Sequence, residues 1–498
     1  MKKAVIIGGG LGGLFTGAIL AKEGIQVTVL EKNATIGGGL QTFRRFGEDF
    51  DTGMHVIGGM QPGGNIYRIC QYLGIIDKVQ VMPVDSDCMD SLYFAEDKTT
   101  YKIQKGKEGF VNSLAAYFPE ERQNLGSYVE AVYSITNSVD LFNLRPSSDL
   151  FKMQSEDFLM SADAFVAKYI MNPKLRSIVS YMNPLYGGRH DETPAFIHAI
   201  ISVLYINGAS RFVGGSFKFA HLLASVIEGT GGEVLANEKV EWVEVNDRHV
   251  DYVKTQKGKE YQVDYYISAI HPCTLLRMVP KKAFPKAYCM RLNSIPNSYS
   301  AFSVYIKLKP NTFPYINHSE YYMTRYDEIW NFGEAHEYWP LGFLFMTPPE
   351  ESQGEYSNKV LITAPMLYEE VAQWENTTVG HRGAGYEAWK KQKTKQLLDK
   401  VEEMHPDFMA CIERVNASSP LTIRDFYGVK EGALSGYSKD YKNMALSQVP
   451  VLTKVDNLLL TGQNNNLHGF CGVPLTAINT AEAILGRNYI LNKINKNE

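Results

Sequence analysis

Cysteine is scarce and scattered in this sequence: six in 498 residues, at Cys70, Cys88, Cys273, Cys289, Cys411 and Cys471. None forms a Cys-x-x-Cys pair, which argues against a disulfide framework and a cysteine zinc site and for a reducing, cytoplasmic setting. A chain of this length can bury enough apolar surface to stand without staples. The histidines are spread without ligand spacing, so no metal is expected. Neither charge dominates: 50 Lys and Arg against 54 Asp and Glu give a net charge of −4. Nucleic-acid binding, which leaves a basic footprint, finds no support there. No apolar run reaches the roughly 18 residues of a membrane span. The nearest, residues 196–206, is short and carries His198. The mixed-charge tail, residues 493–498, is too slight for an anchor.

What is present starts at the N-terminus, MKKAVIIGGGLGGLFTGAILA. Two lysines, an apolar stretch and small residues imitate a secretory leader. The glycines at 8, 9, 10, 12 and 13 would weaken its helical core, because glycine is a poor helix former. The reading preferred is a buried strand at 4–7, a glycine turn and a helix with Leu14, Phe15, Ala18 and Ile19 on one face.

Gly8-x-Gly10-x-x-Gly13 then has chemical meaning. Gly8 allows the tight turn, Gly10 lets the backbone approach a pyrophosphate, and Gly13 lets helix and strand pack closely. The diphosphate would sit on the helix start, beside Leu11 and Gly12, where free N–H groups and the dipole favour an anion. A second strand at 26–30 ends in Glu31, followed by Lys32. An acid there accepts hydrogen bonds from adenosine ribose hydroxyls, and favours FAD or NAD over the 2′-phosphate of NADP.

Further glycines follow in Gly37-Gly38-Gly39-Leu40-Gln41-Thr42, and then Asp51-Thr52-Gly53-Met54-His55. On these segments the chain resembles the flavoprotein superfamily of phytoene desaturases, carotenoid isomerases, retinol saturases and flavin amine oxidases. The last segment is most similar to the retinol saturase and carotenoid isomerase branch. The resemblance implies FAD, with Gly38, Gly39, Leu40 and Thr42 in a GG-R-x-x-[ST] loop around its diphosphate. Gly39 stands where that loop has arginine, which puts one phosphate or flavin contact in doubt. The resemblance also implies that the position of Val240 meets adenine through its backbone, the alternative being an ordinary buried strand valine. Gly462-Gln463 and Gly472-Val473-Pro474 would bring a last helix onto the flavin, with Pro474 at its first position, where proline is well tolerated. Such a helix start would stabilise the negative charge of reduced flavin.

The expected fold class is α/β: a discontinuous Rossmann-like FAD-binding domain from residues 1–85, 210–275 and 450–498. A second, α+β substrate or cap domain on a mixed or antiparallel sheet would use residues 86–209 and 276–449. Strands are expected at 91–94, 100–103, 240–245, 249–255, 261–269, 299–308, 341–346 and 360–364, the last stopped by Pro365. Helices dominate 109–224, and a long charged one covers 386–404.

No second glycine fingerprint with its strand, helix and acid is present, so no dedicated NAD(P)H domain is expected. Flavin chemistry needs no protein nucleophile, only a substrate bond held against N5. Candidate proton donors or flavin neighbours are His55, Tyr186 and His468. Each has a bland alternative: a structural histidine beside the cofactor, a core tyrosine, a loop-completing histidine.

The reading is an FAD-dependent oxidoreductase that desaturates, saturates or isomerises a small hydrophobic polyene or isoprenoid-like substrate, with an external electron donor or acceptor. One rival is a flavin amine oxidase of the same superfamily. The other is a non-catalytic isoprenoid or lipid carrier of the same fold. Oligomeric state and transient membrane-surface contact are left open. The pure protein is expected to be yellow and to release FAD on denaturation; a colourless protein that FAD cannot reconstitute would overturn this reading.

Overall fold

The computed structural model describes residues 1–147 and 155–496. Its organising element is a five-stranded sheet, parallel throughout, in the order Leu458–Leu460, Tyr265–Ser268, Lys3–Ile7, Gln26–Leu30, Glu233–Leu235. The strands are short and nearly continuously apolar, as a sheet covered on both faces requires. In chain order this is 5-4-1-2-3, the doubly wound arrangement. The strand order reverses between strands one and four, and ligands of such sheets bind in the crevice beyond the C-terminal ends of the strands at that point.

The helix Leu11–Lys22 leaves the first strand through the glycine turn and is buried along nearly its whole length. It packs between Phe217–Gly229 and Gly469–Leu485. That sandwich depends on missing side chains. A Cβ on Gly13 would stand 2.0 Å from the Gly8 carbonyl oxygen, and one on Gly12 2.8 Å from the Cα of Gly462. The Thr16 and Thr461 hydroxyls meet at 2.8 Å in the same buried seam.

The second sheet has seven strands in the order Ile412–Ser418, Ser300–Leu308, Lys359–Met366, Gly342–Met346, Ser319–Met323, Asp90–Phe94, Thr99–Ile103. All its pairings are antiparallel except that of Ser319–Met323 with Asp90–Phe94. Strands of the five-stranded sheet come from residues 1–85, 210–275 and 450–498; those of the seven-stranded sheet come from 86–209 and 276–449. A group of helices that pack on one another includes Arg122–Ser138 and Ala195–Ile206. The apolar run at 196–206 is thus a buried helix, and no helix among the described residues is long and apolar enough to cross a membrane.

Three local expectations are corrected. Residues 261–269 are not one strand: Glu260–Tyr261 ends a three-stranded antiparallel sheet, and Tyr265–Ser268 enters the parallel sheet. The Tyr266 hydroxyl ties the corner by accepting the Val263 N–H at 3.0 Å and bonding the Tyr261 carbonyl at 3.2 Å. Pro365 does not stop its strand, which runs on to Met366. Pairing with Gly342–Met346 ends at Thr363, so the missing N–H of Pro365 falls beyond that ladder. Pro474 is not at the first position of the last helix, which starts at Gly469, five residues earlier. At the chain end Tyr489–Lys496 is helical, and residues 497 and 498 of the short tail lie outside the described residues.

Gly13→Ala forces a methyl against a backbone oxygen that cannot rotate away. Overpacking typically costs about 1–3 kcal/mol, and here the clash is with main chain. The expected outcome is a clearly lowered thermal midpoint together with loss of bound flavin, read by calorimetry and absorbance.

Candidate functional site

The crevice of the parallel sheet opens into one cavity of about 530 Å³, which reaches from the nucleotide turn to the inner face of the seven-stranded sheet. At one end it is built like a dinucleotide cradle. Gly8, Gly10, Leu11 and Gly12 line it, and the helix start has Gly10 as a cap with no side chain to occupy its free N–H groups. A Cβ placed on Gly10 would meet only the Cα of Gly38, at 3.8 Å, so the turn leaves room for a ligand there. Free amides and dipole together make this an anion site.

Glu31, buried at the end of the second strand, accepts the Gly9 N–H at 2.8 Å on one oxygen and the Asn33 N–H at 2.8 Å on the other. The carboxylate is thereby fixed at the cavity edge with lone pairs to spare for ribose hydroxyls. Lys32 donates to the Asp425 carbonyl at 2.7 Å, and burial lowers its pKa. Lys239 and Val240 close this end. These features fit FAD: an open glycine turn for the diphosphate, a fixed acid for the ribose, and a second helix start farther along.

That second helix start belongs to Gly469–Leu485. Gly462, Gln463, His468, Gly472 and Val473 all line the cavity. His468 is 6% exposed, and neither ring nitrogen has a hydrogen-bond partner. Burial, helped by the nearby Lys439 ammonium, pushes its pKa down to about 3. An orphaned imidazole facing a cavity is a group awaiting a ligand atom. His55, half-buried on the same cavity, is pushed down to about 3 by burial and by the Arg211 guanidinium. Both imidazoles are neutral near pH 7 in this protein. Each can donate or accept one hydrogen bond there, and neither is a ready imidazolium acid.

Most sequence-derived site residues meet here: Gly8, Gly10, Leu11, Gly12, Glu31, Lys32, Gly38, Gly39, Leu40, His55, Val240, Gly462, Gln463, His468, Gly472 and Val473. Four do not line the cavity. Gly13 supports from behind, through its contact with Gly8. Thr42 has left the loop and pairs with Asp51 at the start of a hairpin. Pro474 lies one residue past the lining, inside its helix. Tyr186 faces away: its hydroxyl meets His198 Nδ1 at 2.9 Å, and His198 Nε2 meets the Tyr128 hydroxyl at 2.7 Å. That buried relay holds helices together behind the wall and gives Tyr186 no path to a substrate.

At Gly39 the missing arginine leaves space that Tyr427 shares. A Cβ on Gly39 would stand 3.9 Å from the Tyr427 hydroxyl, which donates to Thr52 Oγ1 at 3.0 Å. The loop therefore keeps a polar group at this position without an arginine.

Beyond the cradle the lining turns apolar. Ile197, Ile200, Ile201 and Leu204 project from Ala195–Ile206, facing Met323, Phe343 and Leu344 of the seven-stranded sheet. The spacing i, i+3, i+4, i+7 is one helical face. It was legible in the sequence, although nothing there distinguished a cavity wall from core. Tyr205 and Tyr321 also line this chamber, and no local motif pointed to them.

Comparisons with known proteins agree with this geometry. The family model described as flavin containing amine oxidoreductase matches residues 11–485. The all-trans-retinol 13,14-reductase of Macaca fascicularis is 27% identical, over 97% of this chain and 85% of its own length. The chloroplastic prolycopene isomerase of Arabidopsis thaliana is 24% identical, over 93% of this chain and 78% of its own. Among solved structures, an oxidoreductase from Methanosarcina mazei superposes with a TM-score of 0.64 at 15% identity, covering 96% of this chain and all of that one.

Buried neutral histidines make the fold acid-sensitive. His55, His198 and His468 are held to about 3, against an ordinary value near 6.5. Between those values the unfolded chain binds more protons than the folded one, so stability rises with pH across the window. It is fully present above pH 6.5 and lost toward pH 3. His271, pushed down to about 4, adds to this, while Asp90, raised by burial to about 7, and Asp51, also raised by burial, oppose it. Flavin-free protein is expected to melt at a progressively lower temperature as pH falls from 7 to 5, whereas a flat profile would contradict the burial of these rings.

Proposed function

This chain belongs to the flavin containing amine oxidoreductase family and is an FAD-dependent oxidoreductase, and from that premise we propose that its substrate is a small hydrophobic polyene or isoprenoid. The observation that carries the reading is the continuity of the cradle with a chamber walled by Ile197, Ile200, Ile201, Leu204, Met323 and Phe343. A conjugated chain gains by leaving water for such walls, at about 25 cal/mol per Å² of apolar surface buried. The retinol and prolycopene for which those relatives are named have this chemistry.

FAD, when bound, supplies two-electron chemistry against a substrate carbon. The chain's own residues do the rest. Free N–H groups at the start of Leu11–Lys22 would hold the diphosphate of FAD and the Glu31 carboxylate its adenosine ribose. The start of Gly469–Leu485 brings positive dipole toward negative charge that builds up on reduction. Neutral His55 and His468 can each hold a hydrogen bond at the junction of cradle and chamber, and solvent supplies a proton where the reaction needs one. The apolar wall excludes competing water.

Electrons come from or go to an external partner. A substrate of this kind partitions into lipid, which gives a cytoplasmic enzyme reason for transient contact with a membrane surface.

The test uses anaerobically reduced holoenzyme. All-trans-retinol or a cis-configured carotene should restore the oxidised flavin spectrum with a product two hydrogens richer, or be isomerised without net change in the flavin. If no polyene does either, and an amine instead reduces the oxidised enzyme, the amine oxidase reading replaces this one.

A further inference from the structure

Few polar side chains line the apolar chamber, and Tyr321 is one of them. This residue lies on Ser319–Met323, is 3% exposed and lines the cavity. Its hydroxyl has no hydrogen-bond partner among the described residues. The neighbouring donors are already spent. Tyr205 gives its hydroxyl to the Val56 carbonyl at 3.2 Å, and Tyr181, which packs edge-on against Tyr321 at 5.0 Å, gives its own to Asp90 at 2.5 Å.

Behind Tyr321 lies Arg211, 1% exposed. Its hydrogen bonds go to the carbonyls of Ile316 and Thr347, both at 3.1 Å, and to the Ser319 hydroxyl at 3.5 Å; its Nε has no partner. The guanidinium does not line the cavity, but its field reaches both Tyr321 and His55.

Resting on the reading of a hydrophobic polyene or isoprenoid substrate, we infer that Tyr321 is the subsite for a hydroxyl carried by that substrate, which makes it an alcohol rather than a pure hydrocarbon. The Tyr321 hydroxyl, on the cavity lining and without a protein partner, gains a buried hydrogen bond when an alcohol oxygen arrives along the apolar wall. A hydrocarbon lying over it displaces water and offers no bond in return, at a cost of about 1–3 kcal/mol. A site built to bond a substrate hydroxyl therefore rejects the analogue that lacks it more strongly than apolar walls discriminate a methylene.

This part of the chamber also disfavours a carboxylate. The cations that line the cavity, Lys32 and Lys239, stand at the nucleotide end, and the groups facing Tyr321 across the chamber are uncharged. Behind Tyr321 the Asp90 carboxyl opposes a second negative charge, and it acts on Tyr321 more strongly than the Arg211 guanidinium, which favours one. An anionic headgroup would be desolvated there without a facing partner.

The experiment titrates FAD-loaded wild type and Tyr321→Phe with farnesol, farnesoic acid and the hydrocarbon farnesene, following the flavin absorbance. Removing one hydroxyl should weaken farnesol about tenfold, in line with one lost buried hydrogen bond. Farnesene affinity should be the same in both proteins, which also serves as the control that the variant is folded. In wild type, farnesoic acid should bind more weakly than farnesol. Unchanged farnesol affinity in the variant, equal weakening of farnesol and farnesene, or preference for the acid would each overturn the subsite while leaving the isoprenoid reading standing. Should none of the three ligands perturb the flavin, the isoprenoid reading falls, and the subsite with it.

Discussion

The site depends on one contact between two glycines. The Gly8 carbonyl oxygen occupies the place where a Cβ of residue 13 would be, and only this lets Leu11–Lys22 descend onto the end of the first strand. With that approach made, the free amides of the helix start face the crevice at the switch point of the parallel sheet. Gly12 then lies against Gly462, which brings in the turn leading to Gly469–Leu485. Two helix starts thus converge on one cavity because four glycines bring no side chain to their meeting places.

The cavity gains its second character from the other sheet. Parallel strands alone would provide a nucleotide cradle open to water. The seven-stranded sheet and Ala195–Ile206 close its far side with apolar side chains. Polar atoms in this wall are consequently few and each matters. His468 is buried with both ring nitrogens unpaired, and Tyr321 brings to the same lining a hydroxyl that the described residues do not bond. Tyr186 illustrates the opposite case: its hydroxyl is consumed by His198 and Tyr128, so the residue stabilises helix packing.

Much of the cradle was legible in the sequence. Gly8, Gly10, Gly13 and Glu31 stand at spacings that few structures other than strand, turn, helix and strand can satisfy. The segments about 450–475 could be assigned to the same site only through resemblance, since 400 residues separate them from Glu31 in the chain. Element ends were less legible. Pro474 marks a helix start by local preference, yet the helix begins at Gly469, because a buried helix packed along Leu11–Lys22 tolerates the loss of one amide. Pro365 continues its strand because the ladder that would have needed its N–H has already ended. Thr42 belongs by motif to the phosphate loop, but pairing with Asp51 draws it into a hairpin.

By itself the sequence determined the strand, glycine turn and helix at the N-terminus, the acid after the second strand and the α/β class, because these rest on short-range spacing and on hydrophobic period. Only the tertiary structure decided which side of each apolar element faces a cavity. Ile197, Ile200 and Leu204 have the period of any buried helix, and Tyr186, Tyr205 and Tyr321 are chemically identical in the sequence. Their difference lies in what stands opposite each hydroxyl: a histidine for Tyr186, a backbone carbonyl for Tyr205, and open cavity for Tyr321. Burial and the partner across space set the chemistry of these groups, and both are properties of contacts between residues far apart in the chain.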